Sequence, residues 1–251
     1  ATLAYTVLEV VQNGETAVCN LASVNLESHV KVRTLDWKKL QETVEVAVRG
    51  LDNVIDINFY PTKEARNSNL RHRPVGLGVM GTHGMLHKLG IAYDSKEAIE
   101  LCDKIQEYVS YYAILTSSKL ANESYKHSEW SYGNLPIDTY CRLMNDRTGE
   151  EHSVCDFETM EWDKVRAHIA EHGMRNSNVM AIAPTATISY IQGCSQSIEP
   201  DYSVLFVYST LSGEFTMINE HFVELAKKKG IWCKELVDAL KAADGDVLSI
   251  D

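Results

Sequence analysis

Two places in this sequence of 251 residues carry residue types whose spacing can do chemistry. The first is the turn Pro184-Thr185-Ala186-Thr187-Ile188, between the apolar run Val179 to Ala183 and the stretch Ser189-Tyr190-Ile191, which reads as a helix stopped by Gly193. Proline cannot extend the hydrogen bonding of a central strand, so a helix begins here. The N–H groups that open a helix lack partners within it and sit at the positive end of its dipole, a ready site for a phosphate. Threonine hydroxyls add donors, and Ala186 leaves the approach open. The same residues also fit an ordinary strand-to-helix turn with a threonine cap. The second place is Cys19 in "ETAVCNLASVNL", at the end of an apolar run and before polar Asn20 and Ser23. It fits a buried structural cysteine or a redox thiol, and the latter needs exposure and a second cysteine. The sequence does not single out a partner.

Other candidates carry less. Gly76, Gly78 and Gly81 have GxGxxG spacing, but little strand precedes them and Glu100, at the distance of a ribose acid, lies inside a helix pattern. Tight packing explains these glycines better than a nicotinamide or flavin site. His29, His83, His87, His127, His152 and His221 are scattered and form no evident ligand set, as expected of caps and solvent-facing residues. The six cysteines, Cys19, Cys102, Cys141, Cys155, Cys194 and Cys233, include no CxxC pair, so zinc-ligand spacing is missing and no metal site is expected. Tyr111-Tyr112 falls within a long helix pattern and reads as core.

The elements that must position these residues are helices alternating with short apolar runs. Leu40, Val44, Ala47, Val48, Leu51, Val54 and Ile55 keep helical spacing behind Asp36 as cap. A second, buried helix is predicted from "DSKE", where Asp94 and Glu97 have capping-box spacing, through Ile99, Ile105, Val109 and Tyr112 towards Leu120. Residues 123–160 read as a long surface excursion. Helical order returns in "EWDKVRAHIAEHG", closed by Gly173, and in "NEHFVELAKKKG", between Asn219 and Gly230. The runs "VMAIA" and "VLFVY" are predicted to be buried, parallel strands of an α/β layout. Residues 1–251 form a single region, without repeat or linker. With 45% apolar residues the chain can bury a sizeable core.

The 35 acidic against 24 basic residues, a net charge of −11, repel a nucleic-acid backbone and an anionic membrane surface. No stretch approaches the roughly 20 apolar residues of a membrane span. Neither nucleic acid nor membrane is therefore an expected partner, and a cytoplasmic location is the expectation.

Taken together, "AVCNLASVNL" (17–26), "LDNVIDINFYP" (51–61), "RHRPVGLGVMG" (71–81), "GMRNSNVMAIAPTATIS" (173–189), "QSIEP" (196–200) and "LSGEF" (211–215) resemble the catalytic large subunit of ribonucleotide reductase, class I-like, in order and spacing. The resemblance runs from Cys19 to the C-terminus. It implies an α/β fold, part (roughly the second half) of a ten-stranded α/β barrel, and the thiyl-radical reduction of ribonucleotides to deoxyribonucleotides for DNA precursor synthesis. On that resemblance Pro184, Thr185, Ala186, Thr187 and Ile188 grip the substrate phosphates. Cys19 is one of two thiols that supply electrons and close a disulfide at each turnover. The implied partners are the remainder of the large chain, thioredoxin or glutaredoxin, the ribonucleotide substrate and a small subunit whose di-metal site supplies the radical, with adenosylcobalamin as second choice. No cofactor is expected on this segment. ATP-dependent allosteric regulation is implied upstream of it.

The sequence also departs from the family pattern. Where Asn-Leu-Cys-x-Glu is expected shortly before "AVCNLAS", the chain reads "TLAYTVLEV", with Thr2, Ala4 and Thr6 at the ungapped equivalents of the functional Asn, Cys and Glu. The alternative reading is a nonenzymatic relic that binds nucleotide or serves assembly. Without a thiol at the sugar there is no hydrogen-atom abstraction, so these 251 residues alone are expected to yield no deoxynucleotide in a thioredoxin-coupled assay. Turnover by the isolated chain would overturn that expectation.

Overall fold

The structure is a computed structural model that describes residues 14–124, 159–201, 203–210 and 213–250. Thr2, Ala4, Thr6, His127, Cys141, His152, Cys155 and most of the excursion read at 123–160 lie outside the described residues.

The first strand, β1 (Asn20–Asn25), runs into a single 3-10 turn, Leu26–His29. A two-residue antiparallel pair follows, β2 (Val30–Lys31) with β3 (Thr34–Leu35). Helix α1 (Trp37–Ile57) starts where the Asp36 carboxylate accepts the Lys39 N–H at 3.0 Å. Leu40, Val44, Val48, Leu51 and Ile55 are buried along one face of α1, as their spacing dictates, while Val54 turns partly to solvent. Next come α2 (Lys63–His72), β4 (Val75–Met80), α3 (Thr82–Leu89) and the long α4 (Lys96–Ser124). The cap of α4 differs from the capping box predicted at Asp94 and Glu97: Ser95 Oγ accepts the Ala98 N–H at 3.1 Å. Ile99 consequently points outward at 68% exposure, whereas Ile105, Val109 and Leu120 are buried.

After the undescribed stretch, α5 (Trp162–His172) ends at Gly173. Then follow the short α6 (Ile188–Gln192), the hairpin β5 (Leu205–Thr210) with β6 (Gly213–Ile218), α7 (Glu220–Lys228) and α8 (Lys234–Ala242). Asn219 caps α7 by accepting the Phe222 N–H at 2.9 Å.

β1 and β4 pair in parallel, Asn20 against Val75 through Asn25 against Met80. On the other side of β4 the predicted strand at 179–183 is present as a short parallel run. The Val75 and Leu77 N–H groups donate to Asn178 O and Val179 O, and the Ala181 N–H donates back to Leu77 O at 3.1 Å. The sequence reading of "VLFVY" needs correction, because β5 is antiparallel to β6, and β6 is exposed along most of its length. An apolar run does not state its partner, and the partner here is the run next along the chain, Gly213–Ile218, in antiparallel register.

The glycine stretch is also different from the sequence reading. Val75 to Met80 is strand throughout and fully buried, so Gly76 and Gly78 lie inside β4 rather than after it. A Cβ on Gly78 would lie 2.3 Å from Ala181 O. The glycine is required by the backbone of the adjoining run, and packing accounts for it without a dinucleotide. Glu100 stands exposed on α4 beside Lys96 at 3.4 Å.

Helix α1 covers both paired strands, α4 packs on α1, and α5 on α4. Val44, Val48, Leu77, Val109 and Trp162 belong to one buried cluster, each fully buried large side chain contributing about 1.5–3 kcal/mol. Tyr111 is in this core as read from sequence, edge-on to Trp162 at 5.4 Å. Through this packing runs a polar clamp. Asp52 of α1, 4% exposed, accepts from Arg73 Nε at 2.9 Å, Arg175 Nε at 3.2 Å and Asn176 Nδ2 at 2.9 Å. Arg73 also forks onto Asp56, and Asn176 reaches Ser117 of α4. Burial works against the Arg73 charge, but the bonds to Asp56 and Asp52 outweigh it and hold the guanidinium above its ordinary pKa.

Asp52→Ala leaves two buried guanidinium groups without their shared carboxylate. The expected loss of stability is roughly 3–5 kcal/mol, read as a lowered urea midpoint. A loss below about 1 kcal/mol, the scale of a surface pair, would show that the clamp does not hold the fold.

Candidate functional site

Cys19 is delivered by a tethered segment. The Glu15 carboxylate, 6% exposed, sits between Arg71 at 3.1 Å and His72 at 3.0 Å, both on α2, and the Thr16 N–H donates to Glu64 O at 3.2 Å. Directly after the cysteine, buried Asn20 donates to Asn69 Oδ1 and Pro74 O, and Asn69 donates to the Tyr60 hydroxyl, which bonds Ile55 O. Successive side chains of a strand point to opposite faces. Asn20 and Val24 face α1, so Cys19, Leu21, Ser23 and Asn25 share the other face, where Cys19 and Leu21 are exposed. The reading of Cys19 as a buried structural thiol is thereby removed, and the exposure required of a redox thiol is met.

The turn Pro184–Ile188 is held from behind. Thr185 adopts φ 54°, rare for a β-branched residue, and is 7% exposed. Its Oγ1 accepts the Ser197 N–H at 2.8 Å, its carbonyl accepts the Ser189 N–H at 3.0 Å, and Ser197 O is bonded by Thr82 at 3.2 Å. Pro184, Ala186, Thr187 and Ile188 are exposed. Among the described residues the N–H groups of Ala186, Thr187 and Ile188 have no acceptor, and Thr187 makes no side-chain cap. The ordinary threonine cap is therefore not formed. Helix α6 is only five residues long, so few peptide dipoles add up. The capacity for an anion rests on the three free N–H groups rather than on a macrodipole.

The two sites are not in contact. β1, β4 and the run at 178–181 are parallel, so Cys19 lies before the start of the strands and the turn beyond their ends. Six residues of strand separate the levels, about 17–20 Å. The Cys19 face of β1 leads to Asn25, whose Oδ1 lies 2.7 Å from a Cβ built on Gly81, and Gly81 N–H donates to Ser195 O at 2.8 Å. Ser23 Oγ and Asn25 Oδ1 on that face are buried without a hydrogen-bond partner. These two, and Ser197 behind the turn, were not identified from the sequence. Their only signal was the alternation along β1 and the position of "QSIEP" after the turn.

Histidines that look scattered in sequence converge here, which corrects the sequence reading. His83 and His87 of α3 lie edge to face at 4.5 Å, and His221 at the start of α7 stacks on His87 at 5.5 Å. Glu27 bonds His221 Nε2 and Lys88 Nζ, each at 3.1 Å. Gly84 permits this approach, since a Cβ there would meet Glu27 Oε2 at 2.1 Å. Burial pushes the Glu27 carboxyl up, but the hydrogen bonds from His221 and Lys88 overcome it and leave its pKa below the usual 4.5. The bond to Glu27 raises His221 above 6.5 despite burial. Beside Glu27 and the end of α6 lies a cavity of about 230 Å³ whose wall includes Cys194. Burial, with Glu27 nearby, pushes that thiol up to about 11, so Cys194 is protonated and a poor nucleophile. Among the described residues no His/Cys/Asp/Glu group is arranged to hold a metal ion, and no helix is long and apolar enough to cross a membrane.

Comparison with known proteins agrees with the sequence motifs. The sequence model of the family described as "Ribonucleotide reductase, barrel domain" matches residues 7–251. A ribonucleoside-diphosphate reductase subunit alpha from Chlamydia muridarum is 54% identical over 242 residues, covering 94% of this chain and 23% of the relative. One from Helicobacter pylori is 42% identical over 216 residues, covering 83% and 26%. The ribonucleoside-diphosphate reductase large subunit of Caenorhabditis elegans is 38% identical over 243 residues, covering 94% and 29%. The chain thus spans about a quarter of the length of these relatives.

The Glu27–His221 pair gives a pH dependence of defined sign. The raised pKa of His221 stabilises the fold fully below 6.5 and is lost as pH rises through the raised value. The lowered pKa of Glu27 stabilises above 4.5 and is lost as pH falls through the lowered value. The melting temperature of the parent should exceed that of His221→Gln by most between pH 4.5 and 6.5, with the margin shrinking as pH rises through the raised pKa of His221. A margin that grows with pH would contradict the pairing.

Proposed function

Because the chain belongs to the ribonucleotide reductase family and matches its barrel domain, we propose that it is the part of a ribonucleoside-diphosphate reductase large chain that grips the substrate's phosphates and supplies one reducing thiol. Its strands and helices are then roughly the second half of the ten-stranded α/β barrel, and residues 1–251 one barrel region. The observation that carries this reading is the turn Pro184–Ile188: three exposed N–H groups without acceptors, on a backbone fixed through Thr185 and Ser197. Backbone donors of this kind suit phosphate oxygens, because they are oriented in advance and lose no side-chain entropy on binding.

Cys19 is the reductant thiol. Paired with a second cysteine in the remainder of the large chain, it gives up two electrons and two protons per turnover as the dithiol becomes a disulfide, while the ribose loses its 2′-hydroxyl as water. Thioredoxin or glutaredoxin restores the dithiol. The exposure of Cys19, at the start of the open face of β1, gives it the access that this exchange needs. The open face belongs to the barrel interior, completed by the remainder of the large chain. A small subunit with a di-metal site, or as second choice adenosylcobalamin, supplies the radical. The alternative of a nonenzymatic nucleotide-binding relic is tested by the same experiments.

In the complete large chain with its radical-generating partner, Thr187→Pro deletes one phosphate donor. Nucleoside diphosphate binding should weaken about 10- to 100-fold, the cost of roughly 1.5–3 kcal/mol for a hydrogen bond to a charged group. Unchanged affinity would remove the turn from the site. Cys19→Ser should abolish thioredoxin-coupled turnover while nucleotide affinity stays within about twofold. Retained turnover would remove Cys19 from the redox pair.

A further inference from the structure

On the far side of the histidine cluster lies a second cavity of about 520 Å³, within the range of about 300–1,000 Å³ typical of small-molecule pockets. Its walls come from three places: the β2–β3 turn, α3 with the loop after it, and α7. No residue of the turn Pro184–Ile188 lines it. The charge around it runs against the rest of the chain. A protein of net charge −11 here turns Arg33, Lys88 and Lys228 onto one space together with His83, His87 and His221.

The acids nearby do not neutralise this group evenly. Glu27 is occupied by His221 and Lys88, and Asp201 lies beside His83 at 3.6 Å. Glu224, the carboxylate in the wall, precedes Lys228 by one helical turn but forms no ion pair with it. Among the described residues Arg33 and Lys228 pair with no carboxylate, and neither ring nitrogen of His87 has a hydrogen-bond partner. His87 is partly exposed, yet the burial of its ring and then the neighbouring His83 and His221 hold its pKa below 6.5. An anion in the cavity would relieve that repulsion.

The apolar side chains of the wall are Ile91, Ala92, Tyr93 and Leu225, a surface for a ring or carbon body rather than for a bare ion. The rim is strained as well. Val32 and Arg33 form the β2–β3 turn with φ 45° and 63°, a conformation that favours glycine or asparagine. Such strain persists where the surroundings or a function demand it. Here it aims an arginine fork at the cavity.

We propose that this cavity binds a small organic phosphate, with Arg33, Lys228 and His87 taking the phosphate oxygens and Tyr93, Ile91 and Leu225 receiving the organic part. Lys88 supports the charge from its place against Glu27. The site is independent of the substrate turn and does not rest on the function proposed above.

Phenyl phosphate is the probe, because it carries both halves of that chemistry and no nucleobase. Calorimetric titration of the full chain should give one site that is weakened by about tenfold or more in Arg33→Glu/Lys228→Glu and left within twofold by Thr187→Pro. Both replaced residues are exposed, and circular dichroism melting verifies that the variant folds. Arg33→Gln/Lys228→Gln, which removes charge without reversing it, should weaken the site by an intermediate factor. Absence of a site at millimolar probe, equal affinity in the double variants, or loss of the site in Thr187→Pro alone would each overturn the inference.

Discussion

The fold turns on one buried carboxylate. Asp52 lies on the helix that covers both paired strands, and its two oxygens are shared by Arg73, Arg175 and Asn176. These partners come from the residue that ends α2 and from the segment that leads into the turn Pro184–Ile188. One side chain thereby fixes the order of three chain segments around the strand layer. A buried carboxylate with two guanidinium groups is tolerable only when every partner is present, so the segments are correctly placed together or not at all. Arg73 is held at φ 50° by the same bonds, a local cost of order 1 kcal/mol that the network sustains.

The strand layer transmits this anchoring to the site. Gly78 gives Ala181 room to approach β4, and the run at 178–181 therefore lies parallel beside the strand and ends with Pro184 near the end of the layer. From there Thr185 is locked by Ser197, itself held by Thr82 at the start of α3. The free N–H groups of the turn thus stand on a chain of packed backbone rather than on a loose loop. Cys19 is positioned by a different set of contacts, the Glu15 clasp and the Asn20–Asn69–Tyr60 series. The two ends of the layer are therefore supported separately.

Electrostatics divides the C-terminal part in the same way. Glu27 draws α3 and α7 together through Lys88 and His221 and leaves cations on the far side unmatched. The near side is a narrow cavity beside Cys194, whose thiol is kept protonated. The far side is wider and basic. A single carboxylate, Glu27 in the 3-10 turn, separates these environments.

Much of this was legible in the sequence because it depends on local rules. Apolar spacing placed α1, Asp36 and Asn219 marked helix starts, and Gly173 and Gly193 marked helix ends. The break at Pro184 marked the turn before α6, and the motifs around Cys19, Asp52, Arg73 and Arg175 marked the family. What the sequence left open depends on partners distant along the chain. Cys19 reads from its local sequence as a buried structural cysteine until α1 is seen to take the opposite face of β1. Arg73, Arg175 and Asp52 read as separate motif residues until packing brings them to one carboxylate. The run "VLFVY" does not carry its own strand direction, and His83 and His221 are too far apart in sequence for any spacing rule to join them. Periodicity and capping act within a few residues and so are written in the sequence. Burial, charge pairing and the joining of remote side chains are decided only when the tertiary structure closes.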